Sequence, residues 1–181
     1  MKQKTISATT RKSILEAANK IVLEQGVRTL TLESTAREAG VSKGGLLYHF
    51  PNKKSLIKGM VEKLISGFET MLEQELLKSD GNWLVAYVRA SFQPPAEHNQ
   101  ISGALVAAIA IEPELLKPLQ ERFDEWQEKC EQLAPTPEIG TIIRLALDGM
   151  LISDLLDFAP LAQEARQNLI DTLIEMVTKE I

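Results

Sequence analysis

Thr31-Leu32-Glu33-Ser34-Thr35-Ala36-Arg37-Glu38-Ala39-Gly40-Val41-Ser42-Lys43-Gly44-Gly45-Leu46-Leu47-Tyr48-His49-Phe50-Pro51-Asn52-Lys53-Lys54 is the stretch from which the fold can be read. Thr31 stands before a run with Leu32, Ala36 and Ala39 on one helical face, a good N-cap for a short helix that Gly40 stops. Ser42 is a second N-cap, and the helix behind it reaches His49 before Phe50-Pro51 closes the segment. Two short helices joined by a tight turn containing Gly, the second polar on its outer face, form the arrangement that sets a recognition helix in the major groove of DNA.

Within this pair, Ala36, Ala39, Val41 and Leu46 supply the contacts that fix the angle between the helices. Lys43, Gly44, Leu47, Tyr48 and His49 project outward. Gly44-Gly45 costs roughly 1 kcal/mol per residue relative to Ala inside a helix. Close approach of the backbone to a phosphate is one reason to carry no side chain there. Lys53 and Lys54 open the next helix, where free N–H groups and the helix dipole already favour an anion. Thr31, Ser42, Gly44 and Lys53 are therefore assigned mainly to the DNA backbone, which sets affinity and register, and Lys43, Tyr48 and His49 to base edges or the groove. His49 at a helix end has a structural alternative, a hydrogen bond to a carbonyl. Lys2, Lys4, Arg11 and Lys12 add a basic arm and first helix.

Outward from this stretch the apolar spacing stays helical, with no period-two run bounded by turn residues, so an all-α fold is expected. A first helix spans about 10–25, with Gly26 as its cap. Asn52 caps a long helix over about 53–79. Beyond Asp80-Gly81-Asn82 come a helix over 83–92, a Pro-bounded loop through His98, an apolar segment over 101–111 and an amphipathic helix from Glu112-Pro113 to about 133. Two helices follow, 139–158 and 161–181. The former is apolar around its whole circumference and so calls for burial on all sides, one by its own core and the other by a second copy of the chain. The expected division is a helix-turn-helix domain over 1–52 and a ligand-binding and dimerisation domain over 53–181, with the 53–79 helix bridging the two.

Charge follows the same division. The 181 residues carry a formal net charge of −5, which taken whole argues against a nucleic-acid partner. Residues 1–63, however, hold 12 Lys or Arg against 5 Asp or Glu, a net +7, and the remainder hold 8 against 20, a net −12. Such asymmetry marks an interaction surface on one segment. A composition 44% apolar and 25% charged is that of a globular protein. No long uncharged apolar run and no signal-peptide pattern follow Met1, so a cytoplasmic protein with no membrane partner is expected. A single cysteine, Cys130, forms no internal disulfide and sits on an apolar stripe, which favours a buried inert thiol over a redox sensor.

No catalytic constellation is recognisable, since there are two widely separated His residues and no metal-binding, nucleophile-elbow or phosphate-loop motif, so neither an enzyme nor a cofactor or metal site is expected. The aromatic residues of the acidic part are core by default. Sites between helices of bundles are nevertheless lined by such groups, and Phe68, Tyr87, Phe92, Phe123, Trp126 and Asp148 are the candidates for a small-molecule pocket. Asp148 could equally pair with Arg144 one turn away.

The run from Thr31 to Leu56 resembles the DNA-binding domain of the tetracycline-repressor (TetR) family of bacterial transcription regulators. The likeness covers about residues 8–60, and its core is Ala39-Gly40-Val41-Ser42-Lys43-Gly44 followed by Tyr48-His49-Phe50 and Lys53. This sequence departs from the family's pattern at Thr35, Gly45, Leu47 and His49. The resemblance implies a three-helix N-terminal DNA-binding domain and a divergent helical C-terminal domain. It also implies a nucleoid-associated homodimeric repressor, released from a palindromic DNA operator by a small-molecule effector. Contact with DNA would then involve Thr31, Ser42, Lys43, Gly44, Gly45, Leu47, Tyr48, His49 and Lys53. Two rivals compete with it: a ligand-independent DNA-bound structural regulator, and a helical small-molecule binder with no DNA role.

Overall fold

The computed structural model describes residues 2–92, 108 and 110–178, with side chains from Thr9 onward. Among the described residues every regular element is helical, as the spacing predicts. In chain order these are α1 (Lys2–Gln25), a 3₁₀ turn (Val27–Thr29), α2 (Leu32–Glu38), α3 (Lys43–His49), α4 (Lys53–Lys78), α5 (Trp83–Ser91), a second 3₁₀ turn (Pro113–Leu116), α6 (Lys117–Leu133), α7 (Pro137–Leu156) and α8 (Gln163–Thr178). The loop expected at 93–100 and most of the apolar segment at 101–111 lie outside the described residues.

Local capping sets the boundaries in the basic part. Ser34 N–H donates to Thr31 Oγ1 at 2.9 Å while Thr31 N–H donates back to Ser34 Oγ at 3.0 Å, a reciprocal pair that satisfies two free donors at the start of α2. At the other end Gly40 takes φ +66°. Val41 N–H then reaches Ala36 O at 3.0 Å and Gly40 N–H reaches Arg37 O at 3.2 Å, so the last carbonyls of α2 are answered by a Schellman turn. Ser42 Oγ accepts from Gly45 N–H at 3.0 Å, and Asn52 Oδ1 accepts from Ser55 N–H at 2.8 Å.

Several boundaries differ from the expected ones: α1 begins at Lys2 rather than near residue 10, and three others have identifiable reasons. The helix expected from Glu112-Pro113 to residue 133 is divided. Pro118 has no N–H to offer Glu114 O, and Lys117 N–H bonds that carbonyl instead at the tighter 3₁₀ spacing before α6 continues. The next helix starts two residues earlier than expected because Thr136, whose Oγ1 accepts from Ile139 N–H, is its cap. It ends at Leu156, where Asp157 turns left-handed at φ +55°.

The chain forms two compact units, divided inside α4. The first comprises the described residues of 1–65 and 99–119, the second those of 66–98 and 120–178. In the first, Ile14, Ala18 and Ile21 of α1 pack with Leu46, Phe50, Leu56 and Ile57. Ala108 belongs to this core, with Leu115, Leu116 and Leu119 against it. Thr35 is fully buried, its methyl in the core and its hydroxyl donating to Thr31 O at 2.8 Å. In the second unit Leu84, Tyr87, Trp126, Cys130, Ile143 and Leu173 form the core.

Within that second core, α6 and α7 approach so closely at Gly140 that a Cβ there would lie 2.3 Å from Cys130 O. Gly149, further along α7, has nothing within 4 Å of its would-be Cβ. Gly140→Ala should therefore lower stability to urea by about 1–3 kcal/mol, as overpacking against backbone does. Gly149→Ala should raise it by up to about 1 kcal/mol through helix propensity. Equal unfolding midpoints for the two variants would contradict this packing.

Candidate nucleic-acid interface

The inner face of α3 consists of Leu46, with Phe50 just past its end, one helical turn apart and both in the core of the first unit. Fixing these two positions turns the others out. Lys43, Gly44, Leu47 and Tyr48 are exposed, and Gly45 and His49 are half-buried. Tyr48 is 81% exposed, an aromatic ring held in solvent, with the His49 ring edge-on to it at 5.1 Å between centroids.

The two glycines have different reasons for being glycine. A Cβ at Gly45 would lie 3.2 Å from Ser42 Oγ and crowd the cap, whereas one at Gly44 would meet nothing within 4 Å. Internal packing does not require Gly44. Ser42 uses its oxygen as the cap acceptor and keeps its hydroxyl proton to donate. Thr31 donates to Ser34 Oγ at 3.0 Å.

The structure adds an electrostatic pattern that spacing did not reveal. Lys43 Nζ donates to Glu33 Oε1 at 2.6 Å, a contact from α3 to the first turn of α2, with both side chains largely in solvent. That hydrogen bond, more than any other influence, holds the Glu33 carboxyl below the usual carboxylate range. Lys54 pairs with Glu112 at 2.6 Å, and Arg11 with Glu62 at 3.2 Å while its guanidinium lies over the Phe50 ring. Lys12 stands 3.9 Å from Glu16. Lys53, the first residue of α4, is half-buried. The side chains of Lys2 and Lys4 lie outside the described residues.

In the second unit the structure brings Phe68, Tyr87, Phe123 and Trp126 together. Phe68 meets Tyr87 at 5.7 Å and Trp126 at 4.7 Å, and Phe123 meets Trp126 at 5.3 Å. Trp83, absent from the candidates, stacks on Tyr87 at 5.0 Å. Phe92 has another partner: the Arg166 guanidinium lies over its ring at 5.5 Å and pairs with Asp154 at 2.5 Å. Asp148 pairs with Arg144 one turn earlier, and burial nonetheless pushes its carboxyl above the usual range. Burial also pushes the Tyr87 hydroxyl far up and the Cys130 thiol to about 12. Among the described residues, no group of three or more His, Cys, Asp or Glu is placed to hold a metal ion, and no helix is long and apolar enough to cross a membrane.

Known proteins match both parts of the chain. Residues 14–60 match the family described as bacterial regulatory proteins, tetR family, and residues 81–178, more than half of the chain, match tetracyclin repressor-like, C-terminal domain. The HTH-type transcriptional regulator TtgR of Pseudomonas putida is 38% identical over 55 residues, 30% of this chain and 26% of the relative, so the aligned part spans about a quarter of that protein. Among solved structures, NalD, described as the secondary repressor of the MexAB-OprM multidrug efflux pump in Pseudomonas aeruginosa, superposes with a TM-score of 0.65 at 25% identity. That match covers 97% of this chain and 100% of NalD. The multidrug binding protein EbrR complexed with malachite green has a TM-score of 0.64 at 20% identity, over 93% of this chain and 98% of its own.

Burial of Cys130 has a measurable consequence. At pH 8 the native thiol should react with a disulfide reagent slower by a factor on the order of 10² or more than the urea-unfolded chain, because only the thiolate attacks. Unfolding should release the chain's one thiol. A native rate equal to the unfolded one would place Cys130 outside the core.

Proposed function

Because this chain belongs to the tetracycline-repressor family of bacterial regulatory proteins, we propose that it is a homodimeric, ligand-responsive repressor that binds a palindromic operator through α3. The observation that carries this reading is the outward face Lys43, Gly44, Leu47 and Tyr48, held by the buried Leu46 and Phe50 within a segment of net charge +7. A dimer would present two such helices to successive major grooves about one helical turn (~34 Å) apart. Lys53 at the head of α4 and the hydroxyl of Ser42 would engage phosphates, while Lys43, Tyr48 and His49 would face the groove. In this assignment DNA contact belongs to residues 1–52 with the start of α4, and effector binding and dimerisation to the chain beyond.

The dimer is argued from α7. One side of this helix, with Ile143, Leu147 and Met150, is buried in its own unit, whereas Ile142, Leu145, Ile152 and Leu156 are each about half exposed, between 46% and 53%. Four large aliphatic side chains on one exposed stripe are the self-complementary surface that a two-fold partner would cover. The effector is argued from the aromatic cluster around Tyr87 and Trp126; likeness to NalD, a repressor, supports repression, and likeness to EbrR, a multidrug binding protein complexed with malachite green, supports the binding of a small molecule. Release from DNA requires only that the effector bind better to a subunit arrangement with the wrong spacing of recognition helices.

Duplexes selected from a random-sequence library by the protein should share a near-palindrome. Lys43→Ala should weaken the selected duplex, and Lys53→Ala should weaken duplexes of any sequence and make the salt dependence shallower by about 0.9 per subunit. A folded double variant that binds as tightly as the parent would sink the proposal. For the dimer, Ile142→Glu combined with Ile152→Glu should halve the mass measured by light scattering. A parent protein that already has the mass of one chain at micromolar concentration would refute it.

A further inference from the structure

We propose that Glu33 is a specificity-determining residue of this same surface, a built-in competitor that lets Lys43 approach base edges but penalises its use on phosphates. The inference rests on the DNA-binding reading and concerns how that surface discriminates. Lys43 is the first residue of α3, where the helix dipole is unfavourable to a cation, and Glu33 lies in the first turn of α2, where an anion is favoured. The two meet at 2.6 Å with side chains 61% and 65% exposed, so the pair lies at the surface that would meet DNA. The leading cation of the recognition helix thus arrives already neutralised.

The consequence follows from counting donors. An ammonium has three N–H bonds. Lys43 can keep Glu33 on one of them and offer the others to the O6 and N7 acceptors of a guanine, and Glu33 can itself accept from a cytosine amino group. Neutralising a phosphate is different. It either strips Lys43 from Glu33, leaving an unpaired carboxylate against a polyanion, or brings a −1 charge beside the phosphate with the pair intact. Both outcomes reduce the gain from counterion release, which is the sequence-independent part of affinity. Glu33 therefore weakens binding to arbitrary DNA more than binding to a site with the right base in reach of Lys43.

The test uses the full chain, the duplex it selects from a random library, and a scrambled duplex of the same length, titrated from about 50 to 200 mM salt. Glu33→Gln should bind the scrambled duplex several-fold tighter, steepen its salt dependence by about 0.9 per subunit, and reduce the preference for the selected duplex. In a Lys43→Met background the same substitution should tighten both duplexes alike, by relieving one repulsive charge, and leave the preference between them unchanged. An unaltered salt slope and preference in Glu33→Gln would overturn the inference. So would a loss of preference that persists without Lys43, since Glu33 would then discriminate by a route other than its pairing with Lys43. A parent protein with no salt-dependent affinity for any duplex would instead overturn the DNA-binding reading beneath it.

Discussion

The Phe50 ring occupies the space that a side chain at position 59 would need. A Cβ on Gly59 would lie 2.6 Å from Phe50 Cε1 and 3.3 Å from Leu15 Cδ2, so α1, α4 and the end of α3 meet at a point where only glycine fits. Phe50 is almost fully buried there, with the Arg11 guanidinium over its ring. Everything proposed for α3 depends on this seat. A seven-residue helix is too short to be stable in isolation and takes its order from tertiary packing. Its outward residues point where they do because Leu46 and Phe50 are held inside.

A similar constraint operates in the second unit, where α7 approaches the backbone of Cys130 at Gly140. Close approach there brings Ile143 and Leu147 into the core with Trp126 and Tyr87. The same geometry leaves Ile142 and Leu145 outside. The exposed stripe on α7 is thus the other side of a tight helix contact, and an all-round apolar sequence becomes two faces with different partners.

Charge is organised locally as well as by segment. Of the cations in residues 1–63, Arg11, Lys20, Lys43 and Lys54 each have a carboxylate partner; Glu62, Glu38 and Glu33 are already counted in the net +7, and Glu112 alone comes from outside the segment. Exposed pairs of this kind contribute about 0–1 kcal/mol to stability. Their larger effect is on orientation and on which cations are available to an approaching polyanion. Lys54 is engaged by Glu112, the residue that precedes the 3₁₀ turn at Pro113, so the head of α4 presents Lys53 and Lys54 in different electrostatic settings.

The amino-acid sequence by itself determined the all-helical class, the limits of α2 and α3, and the outward set on α3. Each depends on interactions within a few residues: the hydroxyl caps Thr31 and Ser42, the left-handed Gly40, and the helical period that places Leu46 and Phe50 on one side. The family resemblance was carried by that same short stretch. Tertiary structure decided what depends on residues distant in the chain. Glu33 and Lys43 are ten positions apart, Gly59 is explained only by Phe50 and Leu15, Gly140 by the backbone of Cys130 and Glu131, and Phe92, packed against the same core as the other candidate aromatics, has Arg166 over its ring. Local hydrogen bonding and side-chain period can be read along one chain, whereas close approach and charge pairing between distant residues exist only once separate helices have been brought together.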